Sequence, residues 1–423
     1  MPAATIRALE SGLFPAMLGA FDERHIRSGY LLTMSRTIYF DYNATTPLDP
    51  AVRTAMLPYL DQIWGNPSSV HQIGQTARAA LDDLRDRAAK LLKAKPSEII
   101  FTSGGTESNN LAIFGTARLL ADKGKHLITS AIEHHAGLRC FDYLEAKEHF
   151  EVTRLPVDTT GRVAPEALEQ ALRPDTTLVS IMAANNEIGT IQPVAELGAI
   201  CRQHRVIFHT DAAQWFGKEP VATIEQFNAD LVSICAHKFH GPKGAGLLYI
   251  RSPLHPDLIH FGGSQENERR GGTENLPAIA GLVEALERFV PQPVFDRTRM
   301  APLTERLITA ANDIPGLQFI GSRESRLANT VAFVVPGTDN IALMAGLDLE
   351  GICASSGSAC SAGSLEPSHV VAALGWEKKL ANSLVRFSLG RESTAAEVET
   401  VIAKLPEVLR RAKVPNKFRT TRE

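Results

Sequence analysis

The 423-residue sequence lacks most of the features that announce a function from composition alone. Neither charge sign dominates: 44 Lys and Arg stand against 47 Asp and Glu, and a net charge of -3 gives no general attraction to nucleic acid or an anionic membrane. No apolar run is long enough to cross a bilayer. There are only five cysteines, Cys140, Cys201, Cys235, Cys353 and Cys360, an odd number with no short secreted framework. That count excludes a disulfide scaffold and predicts reduced thiols in a cytoplasmic setting. Internal repeats and low-complexity segments are absent too. What remains is a chain with ordinary hydrophobic content, too long for one core, for which small-molecule chemistry is the natural expectation.

Residues 1–35 read as a leader outside the body of the protein: Glu10, Asp22 and Glu23 spoil a transit peptide, and no cleavage-site pattern follows. From 99 to 235 short apolar strands alternate with helical patterns, which predicts a mostly parallel sheet covered by helices. After about residue 290 the pattern loosens, punctuated by Pro291, Pro293 and Pro302, into a smaller α+β unit closing on a helix with a Thr394/Glu397 capping box. The expected organisation is α/β. A large cofactor-binding domain spans 51–290, and 36–50 with 291–423 form a smaller α+β domain.

In open parallel sheets ligands bind beyond the carboxyl ends of the strands, so the residues there carry the argument. One predicted strand, 229–235, leads to Lys238, flanked by His237 and Phe239, with Gly241-Pro242-Lys243-Gly244 forcing a loop just after it. Lysine at such an edge is either a solvated loop residue or a desolvated amine fit for Schiff-base chemistry. Ser103-Gly104-Gly105-Thr106 ends another strand and opens a helix. It is either a plain glycine turn or an anion cradle, with Thr106 or Ser103 adding a hydroxyl. Asp211, in HTDAAQ, is either a helix cap or a buried carboxylate that keeps a ring nitrogen protonated. A phosphate cradle, a lysine and an acid together are what pyridoxal phosphate requires.

These segments, AHKFHGPKGAG, HTDAAQ and TSGGTESNN, together with AIEHHAG, ANNEIGTIQP, DYNATTPLDP and RRGGTENLP, resemble the cysteine desulfurases, pyridoxal-phosphate enzymes of class V aminotransferase architecture. The resemblance runs over about 38–409 and assigns roles by position. Lys238 would hold the cofactor, Asp211 would pair with its ring nitrogen, and Gln214 and Asn186 would address the ring hydroxyl and the substrate side. His134 would stack on the ring and move protons, while His135 has no assigned part. Gly105, Thr106, His237 and Cys235 would surround the phosphate, Cys235 standing where the family usually has serine. Thr273 would reach the phosphate of the other subunit of a homodimer.

A run of small residues, 355–368, places Cys360 near the centre of a long loop. By itself an isolated loop cysteine is more often incidental than catalytic. The run resembles the long catalytic loop of the nitrogen-fixation and iron–sulfur-cluster desulfurases, where the thiol receives sulfur from L-cysteine as a persulfide and hands it to an acceptor, most naturally an iron–sulfur scaffold protein. Cys360 could then also serve as a transient iron–sulfur ligand; no intrinsic metal site is expected. Cys353, just before the loop, reads as structural. Arg386 sits in an apolar strand pattern, where an arginine needs a partner, and the resemblance gives it the substrate carboxylate. An aminotransferase or another lyase of the same fold, a silent docking protein, and a zinc site from His237, His240 and Cys235 are the weaker readings. The last fails on ligand spacing.

Overall fold

The computed structural model describes residues 37–357, 368–377, 380 and 382–413; the leader, Cys360 and the chain after 413 lie outside the described residues. Twelve strands appear among them: β1 (Ile38–Tyr39), β2 (Ile99–Thr102), β3 (His126–Ser130), β4 (Glu151–Leu155), β5 (Thr176–Ser180), β6 (Ile207–Asp211), β7 (Leu231–Cys235), β8 (Gly246–Ile250), β9 (Gln318–Ile320), β10 (Thr330–Val334), β11 (Ile352–Cys353) and β12 (Leu384–Ser388).

Seven of these build one sheet in the order β2-β8-β7-β6-β5-β3-β4. All neighbours in it run parallel except β8, which is antiparallel to both β2 and β7. Six of the seven strands are buried at every residue or all but one, as expected of a sheet covered on both faces; only the edge strand β4 is largely open. The helical stretch before Trp64 is interrupted at Leu57-Pro58 into Pro50–Met56 and Pro58–Asp61, because Pro58 has no N–H to continue the ladder. Pro302 does not end a segment: it lies inside the helix Arg297–Ala311.

The C-terminal residues form an antiparallel sheet, β12-β10-β9, and β1 pairs in parallel with β11. The last helix, Ala395–Ala412, has the capping box: the Thr394 hydroxyl accepts from the Glu397 N–H, and the Glu397 carboxylate accepts from the Thr394 N–H. One apolar cluster draws on residues between Val52 and Val290, and another on Ile38, Phe40 and Tyr42 together with Phe295 to Ala412. A further cluster joins Ile132 and Ile188 to Ala332, Val334 and Leu384, so the segments beyond the carboxyl ends of β3 and β5 pack on the antiparallel sheet.

A buried ion pair fixes the entry to β2. Arg85 donates from both terminal nitrogens to Glu266 at 2.7 Å each, and also to the Ile99 carbonyl at 2.6 Å, while Glu266 accepts from the Phe101 N–H at 2.9 Å. Removing one partner strands a charge in the interior. Arg85→Met should therefore lower stability by about 3–5 kcal/mol in urea unfolding, and the Arg85→Met/Glu266→Met double variant should recover a large part of it.

Candidate active site

The carboxyl ends of β2, β6 and β7 open into one cavity of about 520 Å³. Its lining includes Gly105, Thr106, His134, Asn186, Asp211, Gln214, Cys235, His237, Lys238 and Arg386. Every cofactor- or substrate-binding candidate from the sequence is thus gathered in one space except Thr273. That residue faces a smaller recess on the far side of Ser103 and Gly244, beside Glu266 and Arg270. Cys360, as noted, is outside the described residues.

Lys238 is carried past the end of β7 by a single 3-10 turn, Ala236–Lys238. The chain folds back at Gly241, where a Cβ would lie 2.8 Å from the Ala236 carbonyl oxygen, so only glycine fits this tight reversal. The Lys238 Nζ donates to the carbonyls of Asn43 and Ala44 at 2.7 and 2.9 Å. Burial pushes its amine below the usual lysine value, which favours the uncharged nucleophilic form.

Asp211 ends β6, with one carboxylate oxygen accepting from Asn109 Nδ2 at 2.6 Å and the other from the Ala213 N–H at 2.9 Å. The helix Gly105–Leu119 starts at the cavity wall with no capping side chain on Gly104; the Gly105 N–H meets the Cys235 thiol, and the positive end of the helix faces the space an anion would take. Gly104 adopts φ 154°, and Gly246 passes beneath it so closely that a Cβ there would lie 2.6 Å from the Gly104 Cα. Burial pushes the Cys235 thiol up.

His134 caps the helix His135–Glu148, its Nδ1 accepting from the Ala136 N–H at 3.1 Å. An accepting Nδ1 carries no proton, so the ring is the neutral tautomer protonated at Nε2. Burial depresses its pKa in the same direction. His237 is held to the Thr45 hydroxyl at 3.1 Å, and burial with Lys238 nearby lowers it to about 4. His240 instead bonds the Pro47 carbonyl and stacks on Phe295, so His237, His240 and Cys235 do not converge. Among the described residues no His, Cys, Asp or Glu group is arranged to hold a metal.

Arg386, fully buried in the middle of β12, has the partner its strand position demanded. It donates to Asp41 at 2.5 Å and to the Asn186 carbonyl at 2.7 Å, while its Nε is left without a partner. Sequence reasoning missed Asp41 here, and also Asn109, Asn43 and Lys218. Asn109 lies one helical turn after Gly105, on the helix face toward Asp211, which is a detectable signal. The others meet the site only through the fold.

Pyridoxal phosphate fits these groups: an uncapped helix start for the phosphate, a buried carboxylate for the ring nitrogen, and a desolvated amine for the aldehyde. The class of enzyme follows from the family. Residues 38–401 match the model of the aminotransferase class-V family, and the chain belongs to it. Its relatives narrow the class: it is 44% identical over 393 residues to "Cysteine desulfurase IscS" of Methanosarcina thermophila, covering 92% of this chain and 97% of that one. It is 46% identical over 389 residues to the protein of the same name from Dictyoglomus turgidum, covering 91% and 98%. A solved "NIFS-LIKE PROTEIN" superposes with a TM-score of 0.81 at 36% identity, over 88% of this chain and 99% of that one.

The cap gives His134 a pH signature. Its folded pKa lies below the ordinary 6.5, so its contribution to stability is present above that value and lost as pH falls through the folded one. His134→Phe should cost about 0.5–2 kcal/mol at neutral pH for the lost cap. In urea titrations the gap between variant and wild type should close on acidification.

Proposed function

We propose that this protein is a pyridoxal-phosphate-dependent cysteine desulfurase, which takes sulfur from L-cysteine, leaves L-alanine, and passes the sulfur on for iron–sulfur cluster assembly. The observation that carries the reading is the cavity itself: a desolvated Lys238, a hydrogen-bonded Asp211, an open helix N-terminus at Gly105 and a buried Arg386 face one another in it. The relatives named above support the substrate, since they carry the name cysteine desulfurase over nearly their whole length.

Bound pyridoxal phosphate supplies an electron sink for the bonds at the substrate's α and β carbons. Lys238 would hold the cofactor and, once freed, would take the α-proton with an amine whose burial lowers its pKa. His134, with Nε2–H exposed to the cavity and Nδ1 occupied by the helix cap, serves as a stacking platform and hydrogen-bond donor. To take up a proton it must give up the cap, which makes Lys238 the better base. Asp211, held by Asn109, would pair with the ring nitrogen. Gly105, Thr106 and His237 attend the phosphate, with Cys235 offering a thiol, a weaker donor than the serine hydroxyl usual there. Asn186 and Gln214 address the ring oxygen and the substrate side.

Arg386 receives the substrate carboxylate in a recess where Asp41 and the Asn186 carbonyl already hold its plane. Cys360 attacks the substrate sulfur as a thiolate: an S–S bond forms, the carbon–sulfur bond breaks, and a persulfide remains on Cys360. As a homodimer, the protein would bring Thr273 to the partner's phosphate, a role consistent with its place outside this chain's own cavity. The site works in the cytoplasm with an acceptor protein as second substrate.

Incubation with sulfur-labelled L-cysteine followed by peptide mass mapping should put one extra sulfur on Cys360. Cys360→Ala should keep the yellow cofactor and lose alanine formation by at least about 100-fold, whereas Lys238→Ala should lose the bound chromophore itself. A Cys360→Ala protein that releases sulfide at the wild-type rate would falsify the desulfurase reading.

A further inference from the structure

Beneath the cavity lies a second lysine that the proposed chemistry does not use. Lys218 is 2% exposed, and its neighbours are unusual for a buried cation. Its Nζ donates to Asn43 Oδ1 at 2.7 Å and to Gln214 Oε1, and it lies 5.4 Å from the centre of the Phe295 ring. Both oxygen partners are amides; among the described residues no carboxylate pairs with it. Burial, with Lys238 and Arg386 nearby, pushes its amine well below the usual value. The chain reaches this spot through Gly217 at φ 74°, where a Cβ would lie 2.4 Å from that of Phe239. The lysine is thus placed by a turn that admits only glycine.

The two amides above Lys218 have a fixed sense because each end meets a group that can play one part only. The Gln214 Nε2 donates to the Asn43 carbonyl at 3.0 Å, and a carbonyl can only accept. Its Oε1 must then face downward, onto the Lys218 amine. The Asn43 side chain is locked likewise: Nδ2 donates to the Asn186 carbonyl and the Thr330 hydroxyl, while Oδ1 accepts from Lys218 and Asn329. The Asn43 carbonyl that receives Gln214 also receives the Lys238 Nζ.

We propose that Lys218 is a positioning residue: by occupying the Gln214 carbonyl from below it makes Gln214 present its N–H face to the cavity. The inference builds on the cofactor assignment above. A donor facing the ring oxygen stabilises that oxygen as an anion, and this governs the colour and binding of the cofactor. Without Lys218 the buried Gln214 oxygen is left unsatisfied, and the amide must turn over or move away.

The test uses purified full-length protein in four forms: wild type, Lys218→Met, Gln214→Leu and the double variant. The readouts are the visible absorption spectrum, the affinity of cofactor-stripped protein for pyridoxal phosphate, and the kcat and KM for L-cysteine. Lys218→Met should shift the visible band, weaken cofactor binding about tenfold and lower kcat about tenfold, with KM changed less than about threefold. Lys218→Gln, which returns an N–H donor beneath the Gln214 oxygen, should restore the wild-type band. The double variant removes donor and acceptor together and leaves no stranded oxygen, so it should fold even where Lys218→Met does not. Its spectrum and cofactor affinity should match those of Gln214→Leu within about twofold, since Lys218 acts through Gln214. A wild-type spectrum and affinity in Lys218→Met, or a double variant that differs from Gln214→Leu more than this, overturns the proposal. A wild type that binds no pyridoxal phosphate would instead overturn the cofactor reading, a separate result.

Discussion

One buried amide, Asn43, holds the floor of the cavity together. Its carbonyl accepts from Lys238 and Gln214, its side-chain oxygen from Lys218 and Asn329, and its side-chain nitrogen donates to Asn186 and Thr330. Its N–H reaches the Ser388 hydroxyl on β12. Within one residue, then, the end of β7, the loop after β6, the ANNEIG segment and the antiparallel sheet acquire a common reference. A residue with no other acceptor and donor pattern can do this, because each group it satisfies is buried and would otherwise cost free energy. The neighbouring Thr46 and Pro47 extend the link, meeting His237 and His240 along the same turn.

That floor also explains how three cationic side chains share one small space. Lys238, Lys218 and Arg386 surround Asn43, with Asp41 and Asp211 as the nearby acids. A full complement of charges would repel in such low-polarity surroundings. The amines yield, since a lysine can lose its proton and an arginine cannot. Burial lowers both lysines, and Arg386 pairs with Asp41. The result is a floor on which the two amines rest against amide and carbonyl oxygens and the arginine against an acid.

Much of this was legible in the sequence, and the missing parts share a cause. Lys238, Asp211, His134 and the Gly104-Gly105 turn stand at ends of strands or starts of helices, where a local pattern marks them. The parallel sheet could be read from the strand–helix alternation, though the antiparallel strand β8 could not, because pairing direction leaves no local trace in a short apolar run. Asn43, within DYNATTPLDP, carries no local mark of its role, and Lys218 carries none either. Their contact joins positions 175 residues apart, and a buried lysine bound to two amides looks in sequence like any other lysine. Thr273 was chosen by resemblance alone, and within one chain the fold leaves it outside the cavity.

The described residues on either side of 358–367 are fixed at the cavity wall. On one side, Ser355 is bonded in both directions to the backbone of Arg386, at 3.1 and 2.7 Å. On the other, the Ser368 hydroxyl donates to Glu187 at 2.6 Å, next to Asn186, and Glu187 also lies against Gly357. Glu187 thus meets the described residues on both sides of 358–367, and Ser355 and Ser368 tie those residues to Arg386 and to the position after Asn186, Arg386 and Asn186 both lining the cavity.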